Sequence, residues 1–336
     1  MPRLVDPISF AGLTLRNRIV MPPMWSGQAA ADGSVTDAIV EYHRCRAAAG
    51  CGLVIVEHSF VHPRGRASAT QIGAHHDRML PGLSRLAAAI KAEGAVACLQ
   101  ISHAGPRTST AVAGATPLGP SAIRHVHNAD GELPEAVTLP QIAEIVAAFG
   151  RAAVRARAAG FDAVELHAAH GFLLSQFLSP LSNRRDDAYG GSDENRWRLH
   201  VEVVAEVRTC LGPDFPVFVR LGATDDTPGG LEIDVGCATA EQLVRGGVDL
   251  VDVSGGLQGS RGAGKGSGYF VPCAEAVKKR VRVPVIVTGG ISDPVFADRI
   301  VRDGRADLVG IGRAMLNDAE WARKAIELLA REGLRP

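Results

Sequence analysis

Short apolar segments recur along the chain, and stretches with helical periodicity lie between them. The apolar segments cover residues 18–21, 53–57, 96–100, 163–167, 217–221, 250–253, 285–288 and 308–311. They are nearly all apolar rather than alternating, which is typical of parallel strands covered on both faces. Helical spacing is found at residues 80–93, 141–159, 195–211 and 294–303, and Gly94, Gly160 and Gly304 mark helix ends.

Eight strand–helix units predict a (β/α)8 TIM barrel, an α/β fold, with residues 1–336 forming a single domain. An open doubly wound sheet uses the same units, but the absence of a composition break favours closure. Phe10-Ala11-Gly12-Leu13 predicts a hairpin turn that plugs the barrel floor. Residues 107–135 and 255–268, after the third and sixth strands, are too polar or Gly-rich for regular structure, and they fall on the face where barrels place their sites.

Composition narrows the class of protein. The chain has 336 residues, 46% of them hydrophobic, and equal numbers of basic and acidic residues, 36 each. It is therefore expected to be globular, with a small-molecule substrate and neither nucleic acid nor membrane as partner. Six cysteines without a CxxC pair predict neither disulfides nor a zinc or iron–sulfur site. With no signal peptide recognisable in the sequence, the expected location is cytoplasmic.

Two histidines three residues apart give the strongest chemical signal. His167 and His170 stand at the end of the fourth apolar segment, where both imidazoles could reach one substrate atom. The alternatives are a structural role for one of them or an HxxH metal pair. A metal would need a third ligand, and Glu165 is expected to point away from His167. Paired hydrogen-bond donors to a substrate oxygen are the favoured interpretation.

The segment from His167 to Arg196, HAAHGFLLSQFLSPLSNRRDDAYGGSDENR, resembles the signature block of the Old Yellow Enzyme family. These are FMN-containing, NAD(P)H-dependent oxidoreductases built on a TIM barrel. The resemblance extends to NRIVMPPM at 17–24, to Gln100, to FVR at 218–220 and to GIGR at 310–313. In size and first strand the chain is most similar to the bacterial subclass of YqjM-like enoate reductases.

The resemblance implies an FMN lying across the barrel mouth. Backbone N–H groups of Gly289, Gly290 and Gly312, with the Arg313 guanidinium, suit the phosphate. Arg220 would lie near the N1–C2 edge of the flavin and Gln100 at its pyrimidine end, although Arg220 could instead form a structural ion pair and Gln100 could be a plain core amide. The remaining residues expected to line the flavin are Pro22, Pro23, Met24, Trp25 and His58.

The resemblance also gives His167 and His170 one task, which is to donate hydrogen bonds to the carbonyl oxygen of an α,β-unsaturated substrate. Hydride would pass from flavin N5 to the β-carbon, after NADPH or NADH has reduced the flavin at the same face. Gly27 and Tyr269 complete the expected substrate site. Residues 259–266 are a near miss to a P-loop, because no Ser or Thr follows Lys265, and are interpreted as a substrate loop ending at Tyr269.

The chain departs from the family at the proton donor. Phe172 stands where many relatives have a Tyr that protonates the α-carbon, and phenylalanine has no proton to give. Gly27 replaces a second Tyr and Trp25 a redox-tuning Cys. A flavin-dependent desaturase or isomerase is therefore an alternative to an ene-reductase, and a metal-dependent barrel lyase or hydrolase using His167 and His170 is an alternative of another class. The family also implies a homo-oligomer, a dimer or tetramer.

Overall fold

A closed barrel of eight parallel strands forms the centre of the computed structural model, which describes residues 1–125, 130–260 and 266–333. Two short strands precede it, and a two-stranded pair lies outside it. In chain order the strands are β1 Ile8–Phe10, β2 Leu13–Leu15, β3 Ile19–Met21, β4 Leu53–Phe60, β5 Val96–Ser102, β6 Leu118–Gly119, β7 Glu135–Ala136, β8 Ala163–Ala168, β9 Val217–Gly222, β10 Leu250–Ser254, β11 Val285–Thr288 and β12 Leu308–Gly310.

Helices cover the outside of the barrel and follow its strands. They are α1 Asp37–Ala48, α2 Leu80–Ala92, α3 Thr110–Ala113, α4 Leu139–Ala158, α5 Leu173–Leu178, α6 Asp193–Leu211, α7 Ile233–Arg245, α8 Val271–Lys278, α9 Pro294–Arg302, α10 Arg313–Asn317 and α11 Trp321–Gly333. The predicted TIM barrel is confirmed, and all eight predicted strands lie within two or three residues of their expected ends. That residues 1–336 form one domain stays a prediction. No helix within the described ranges has the length and hydropathy needed to cross a bilayer.

Helix starts differ from the sequence prediction where a cap decides them. α4 begins at Leu139, two residues before the expected position, because Thr138 and Gln141 form a reciprocal capping box. α6 begins at Asp193 because the Ser192 side chain accepts a hydrogen bond from the Asn195 N–H. Residues 107–135 were expected to be irregular, and this is wrong in part, since they contain α3 and the parallel pair β6–β7.

Side chains inside the barrel are apolar at its floor. Val20, Ile55, Cys98, Phe218 and Leu250 belong to one buried cluster within the strands. The β1–β2 hairpin turns through Ala11 and Gly12, both at positive φ, and packs Phe10 against Phe218 with ring centroids 6.0 Å apart. The expected hairpin plug is therefore confirmed.

The barrel closes where its first strand meets its last. β12 pairs with β3 through Val309 opposite Ile19 and Gly310 opposite Val20. At this seam, a buried Asp298 carboxylate on α9 accepts a hydrogen bond from the Leu4 N–H at 2.8 Å. Segments 294 residues apart in the sequence thus hold the cylinder shut.

One buried histidine links helix α1 to the stability of the fold. His43 is fully buried, and its Nδ1 hydrogen-bonds the Ile39 carbonyl at 3.0 Å. Burial lowers the pKa of His43 to about 4, whereas an unfolded chain protonates histidine near its ordinary value of about 6.5. Between these values the unfolded state binds a proton that the folded state does not.

The free energy of unfolding should therefore fall as pH drops from 7 to 5, and His43 should account for about 2 kcal/mol of that loss. His43→Leu, which cannot titrate, should lose correspondingly less over the same interval. Urea unfolding followed by circular dichroism at both pH values measures the difference. Equal losses in wild type and variant would contradict this explanation.

Candidate active site

Buried polar side chains form a layer inside the barrel, above its apolar floor. Gln100 Nε2 on β5 donates to Glu165 Oε1 on β8 at 2.7 Å, and both residues are buried. Arg220 Nε on β9 lies 3.3 Å from Asp252 Oδ2 on β10, with the two side chains 3% and 0% exposed. The structural ion pair considered for Arg220 is therefore present, and Gln100 is hydrogen-bonded within the core. Both residues still lie at the carboxyl half of the barrel, beneath its mouth.

Burial controls the protonation of this layer. It raises the pKa of both Glu165 and Asp252, while the neighbouring Arg220 guanidinium opposes the rise. The neutral form of Glu165 is favoured, which leaves Asp252 as the counter-charge of Arg220. Glu165 faces the same way as His167, because residues two apart share one side of a strand, and both are buried. The expectation that Glu165 points away from His167 is wrong.

A cluster of four rings lies at the carboxyl ends of β4 and β8. The His167 ring centroid is 5.0 Å from that of His170, 4.5 Å from that of Phe172 and 6.3 Å from that of His58. Gln71 fixes the His58 ring, since His58 Nδ1 hydrogen-bonds Gln71 Nε2 at 2.7 Å. The predicted convergence of His167 and His170 is present in the structure.

The turn after β8 aims His170 at this cluster. His170 adopts a left-handed backbone with φ +59°, and its N–H donates to the Gly255 carbonyl at 3.0 Å. Its ring Nε2 and the Ser254 hydroxyl are 2.7 Å apart. Few side chains adopt this backbone readily, so the contacts with the end of β10 hold the ring in place.

Both histidines are neutral at pH 7. Burial lowers the pKa of His167 and of His170 well below the ordinary value, and the charges of Arg220 and Arg107 lower it further. His167 is 2% exposed, and its Nδ1 has no hydrogen-bond partner within the described residues. A neutral imidazole carries one N–H donor and one acceptor, so this atom is available to a ligand. Sequence reasoning missed Arg107, which it treated only as the start of a loop.

Glycines and an arginine meet at the ends of β11 and β12. Gly290 has φ +65°, and a Cβ on it would lie 2.7 Å from the Tyr269 ring. Arg313 Nη2 donates to the Tyr269 hydroxyl at 3.2 Å, and that hydroxyl donates to the Ser260 carbonyl at 2.8 Å. Tyr269 was expected to bind substrate, but its contacts place it against the predicted phosphate site. Residues 261–265 of the expected substrate loop lie outside the described residues.

The segment after β3 connects the phosphate site to the barrel mouth. A Cβ on Gly312 would lie 3.0 Å from Met24 Sδ and 3.6 Å from Pro22 Cγ. Pro23 is half-buried in the same segment, and Trp25 is 51% exposed. Gly27 turns the chain beside the Trp25 ring with φ +70°.

A buried carboxylate supports that segment and was not predicted. Glu57 Oε2, from the middle of β4, accepts a hydrogen bond from the Ser26 N–H at 2.7 Å. Burial raises the pKa of Glu57 to about 7. A glutamate within an apolar run was the available signal, but the sequence did not show its partner.

The metal alternative finds no support in the arrangement of side chains. Within the ranges that the structure describes, no group of three or more His, Cys, Asp or Glu is placed to hold a metal ion. His167 and His170 therefore lack the further protein ligands that a structural or catalytic zinc site uses.

Comparison with known proteins gives a consistent result. Residues 3–332 match the model of the NADH:flavin oxidoreductase / NADH oxidase family. The chain is 38% identical over 331 residues to an NADPH dehydrogenase of Bacillus subtilis, covering 98% of this chain and 96% of that one. An old yellow enzyme homologue from Zymomonas mobilis has a similar structure, with a TM-score of 0.86 and 27% identity, covering 97% of this chain and 93% of that one.

Another relative is much longer. An NADH oxidase of Thermoanaerobacter brockii is 39% identical over 333 residues, which is 97% of this chain and 51% of that protein. The chain thus spans about half the length of this relative and nearly all of the Bacillus enzyme.

Proposed function

Because the chain belongs to the NADH:flavin oxidoreductase / NADH oxidase family, we propose that it uses FMN and NADPH or NADH to reduce an activated carbon–carbon double bond. The observation that carries this proposal is the meeting of two neutral imidazoles, His167 and His170, at the carboxyl end of a TIM barrel. This is the end at which barrels bind their substrates. A visible absorption spectrum of the purified protein, before and after addition of NADPH, tests the flavin and the reductant of this proposal, because bound flavin is yellow and bleaches when reduced.

The residues present fit an FMN. Gly290 and Gly312 are half-buried and have no side chain, so their backbone N–H groups can approach a phosphate closely, and a Cβ on either would also collide with Tyr269 or Met24. Arg313 is exposed beside them and adds a fixed cation. Towards the mouth, Arg220 and Gln100 offer polar groups from the barrel interior. FMN would supply the hydride that it has taken from NADPH or NADH.

The two histidines would hold the substrate. Each can donate a hydrogen bond to the carbonyl oxygen of an α,β-unsaturated compound, which makes the β-carbon more electrophilic and stabilises the enolate charge that develops. Their lowered pKa values keep both rings neutral, so no buried positive charge has to be compensated when the site is empty of substrate. Phe172 and His58 pack beside the His167 ring and would flank the substrate.

The source of the α-carbon proton separates two candidate reactions. Phe172 has no hydroxyl, and the chain's three tyrosines are engaged elsewhere. The hydroxyls of Tyr42, Tyr189 and Tyr269 donate to the Met24 carbonyl, Glu202 and the Ser260 carbonyl respectively. Burial raises the pKa of Tyr42 to about 12. A desaturase or isomerase is the second candidate. In a desaturase the α-proton would leave to a base instead of arriving from an acid, and Phe172 supplies neither, so water or another group would carry that proton.

Removal of the cation at the phosphate site should weaken FMN. Arg313→Ala should raise the dissociation constant of FMN about ten- to a hundredfold, since a hydrogen bond to a charged group is worth about 1.5–3 kcal/mol. Arg323→Ala, which removes an exposed arginine of α11 that is paired with Glu320, is the matched control. Titration of apoprotein with FMN, followed by flavin fluorescence, gives both constants. Equal affinities in the two variants would contradict the assignment of Arg313.

The histidine pair should act on the substrate and not on the flavin. His167→Ala and His170→Ala should each retain FMN and lose about 10²–10³ in kcat/KM with a cyclic enone. His170→Asn should recover part of the activity, because asparagine tolerates positive φ and keeps an N–H donor. Steady-state kinetics with matched flavin content provides the measurement. Full activity in His167→Ala would contradict the proposal.

Restoring a hydroxyl at position 172 should help if protonation limits turnover. Phe172→Tyr should speed reoxidation of the reduced flavin by simple enones, within the range of about 10²–10⁴ expected of a general acid. The ring is retained, so FMN binding should not change. Phe215→Tyr, next to the amino-terminal end of β9, is the control for an added hydroxyl. Equal stopped-flow rates in wild type and Phe172→Tyr would show that another group supplies the proton.

A further inference from the structure

A cavity of about 280 Å³ lies beside the barrel mouth and contains none of the residues assigned above. It is built from segments that follow β3, β4 and β5, so it opens at the same end of the barrel as the histidines. One wall is apolar and includes Val112 and Ala113 of α3. The other side carries Phe60, Arg66, His75 and Arg78. Its volume is at the lower end of ligand pockets, which run from about 300 Å³ upwards, so it suits one part of a larger ligand.

An aromatic stack forms one side of the cavity. The His75 ring lies on Phe60 with centroids 4.5 Å apart and an interplanar angle of 23°. The Arg66 guanidinium lies 5.3 Å from the centroid of Phe60. His75 is half-buried, and burial, followed by the nearby arginines, lowers its pKa to about 4. Phe60 covers one face of this neutral ring, so a flat heterocycle in the cavity would stack on the opposite face.

The charges around the cavity leave an excess of cations. Arg66 is fixed by hydrogen bonds to backbone carbonyls, with Nε donating to that of Ser68 at 2.9 Å and Nη2 to that of Ala31 at 2.8 Å. Both Arg66 and Arg78 interact electrostatically with Asp32. Asp32 is the acidic group in the lining, and both of its oxygens accept hydrogen bonds from Ser34 at 2.9 Å. Two arginines against one aspartate favour an anionic ligand.

The cavity is adjacent to the site of reduction. β4 carries His58, which stacks near His167, and Phe60 lies two residues further along the same strand. Two strand residues span roughly 7 Å. A ligand whose reactive ring lies at the histidines can therefore extend into the cavity.

We propose that this cavity binds the 2′-phosphorylated adenosine end of NADPH, with Arg66 and Arg78 facing the phosphate and His75 stacking on the adenine. The proposal rests on the proposed function, because it assigns a place to the reductant of that reaction. It adds that the protein distinguishes NADPH from NADH by charge at this cavity. The phosphate is the only chemical difference between the two nucleotides.

Calorimetry on the FMN-loaded protein tests the site without turnover. Adenosine 2′,5′-bisphosphate should bind more tightly than 5′-AMP, and Arg78→Gln should weaken it about three- to tenfold while leaving 5′-AMP nearly unchanged. Asp32→Asn should tighten it about two- to threefold, because a like charge is removed. Arg85→Gln is the matched control, since Arg85 is exposed and paired with Asp37 outside the cavity.

Stopped-flow reduction of the flavin then measures the apparent dissociation constants of NADPH and NADH. Arg78→Gln should raise the constant for NADPH and not that for NADH. Equal binding of the bisphosphate and 5′-AMP in wild type, or an equal effect of Arg78→Gln and Arg85→Gln, would overturn the inference. Binding of coenzyme A, with its 3′-phosphate, in preference to the 2′,5′-bisphosphate would assign the cavity to a thioester substrate and would also overturn it. A last outcome separates the two proposals. If bisphosphate binding depends on Arg78 but NADPH does not reduce the flavin, the site is supported and the proposed reaction is refuted.

Discussion

Closure of the parallel sheet forces every inward-pointing side chain to lose its water. At the floor this favours folding, because Phe218, Ile55 and Leu250 are apolar and the hairpin seals them. Towards the mouth the same closure removes water from polar side chains, which is unfavourable. The hydrogen bond between Gln100 and Glu165 and the ion pair between Arg220 and Asp252 offset this desolvation. The pKa shifts in the site follow from this change from an apolar floor to a buried polar layer near the mouth.

Desolvation also explains why the histidine pair suits carbonyl chemistry better than acid–base chemistry. A ring whose pKa lies far below neutrality has no imidazolium proton to deliver at pH 7, but its remaining N–H can donate a hydrogen bond without carrying charge. His167 and His170 are in this state because they are buried and lie near Arg220 and Arg107. The proton that completes reduction must come from another source, and Phe172 does not provide it. The same burial that prepares the site to hold an enolate thus removes its histidines as acids.

The sequence predicts most of the barrel because each buried strand is an uninterrupted run of apolar residues, which can be recognised without knowing its neighbours. It also predicts that Gly290, Gly312 and Arg313 meet, since parallel strands end on one face. It misses Glu57, Arg107 and Ser254 as parts of the site, because their partners lie on other strands and no local pattern records such contacts. The contacts of Tyr269 with Arg313 and the glycines were not predicted for a related reason, since glycines have no side chains to signal a contact; its role in substrate binding stays a prediction. The pair β6–β7 is too short to show any periodicity.

The seam between β3 and β12 affects the order in which the protein can be completed during synthesis. β3 is synthesised long before residues 308–310, and one of its edges stays unpaired until they emerge. Met24 and Gly312, which line the same corner of the predicted phosphate site, likewise come from opposite ends of the chain. A nascent chain can build neighbouring strand–helix units as they emerge, but it cannot close the cylinder or assemble that corner until β12 is free. A cofactor phosphate held at that corner therefore cannot be bound until β12 has emerged, however early the first strand–helix units fold.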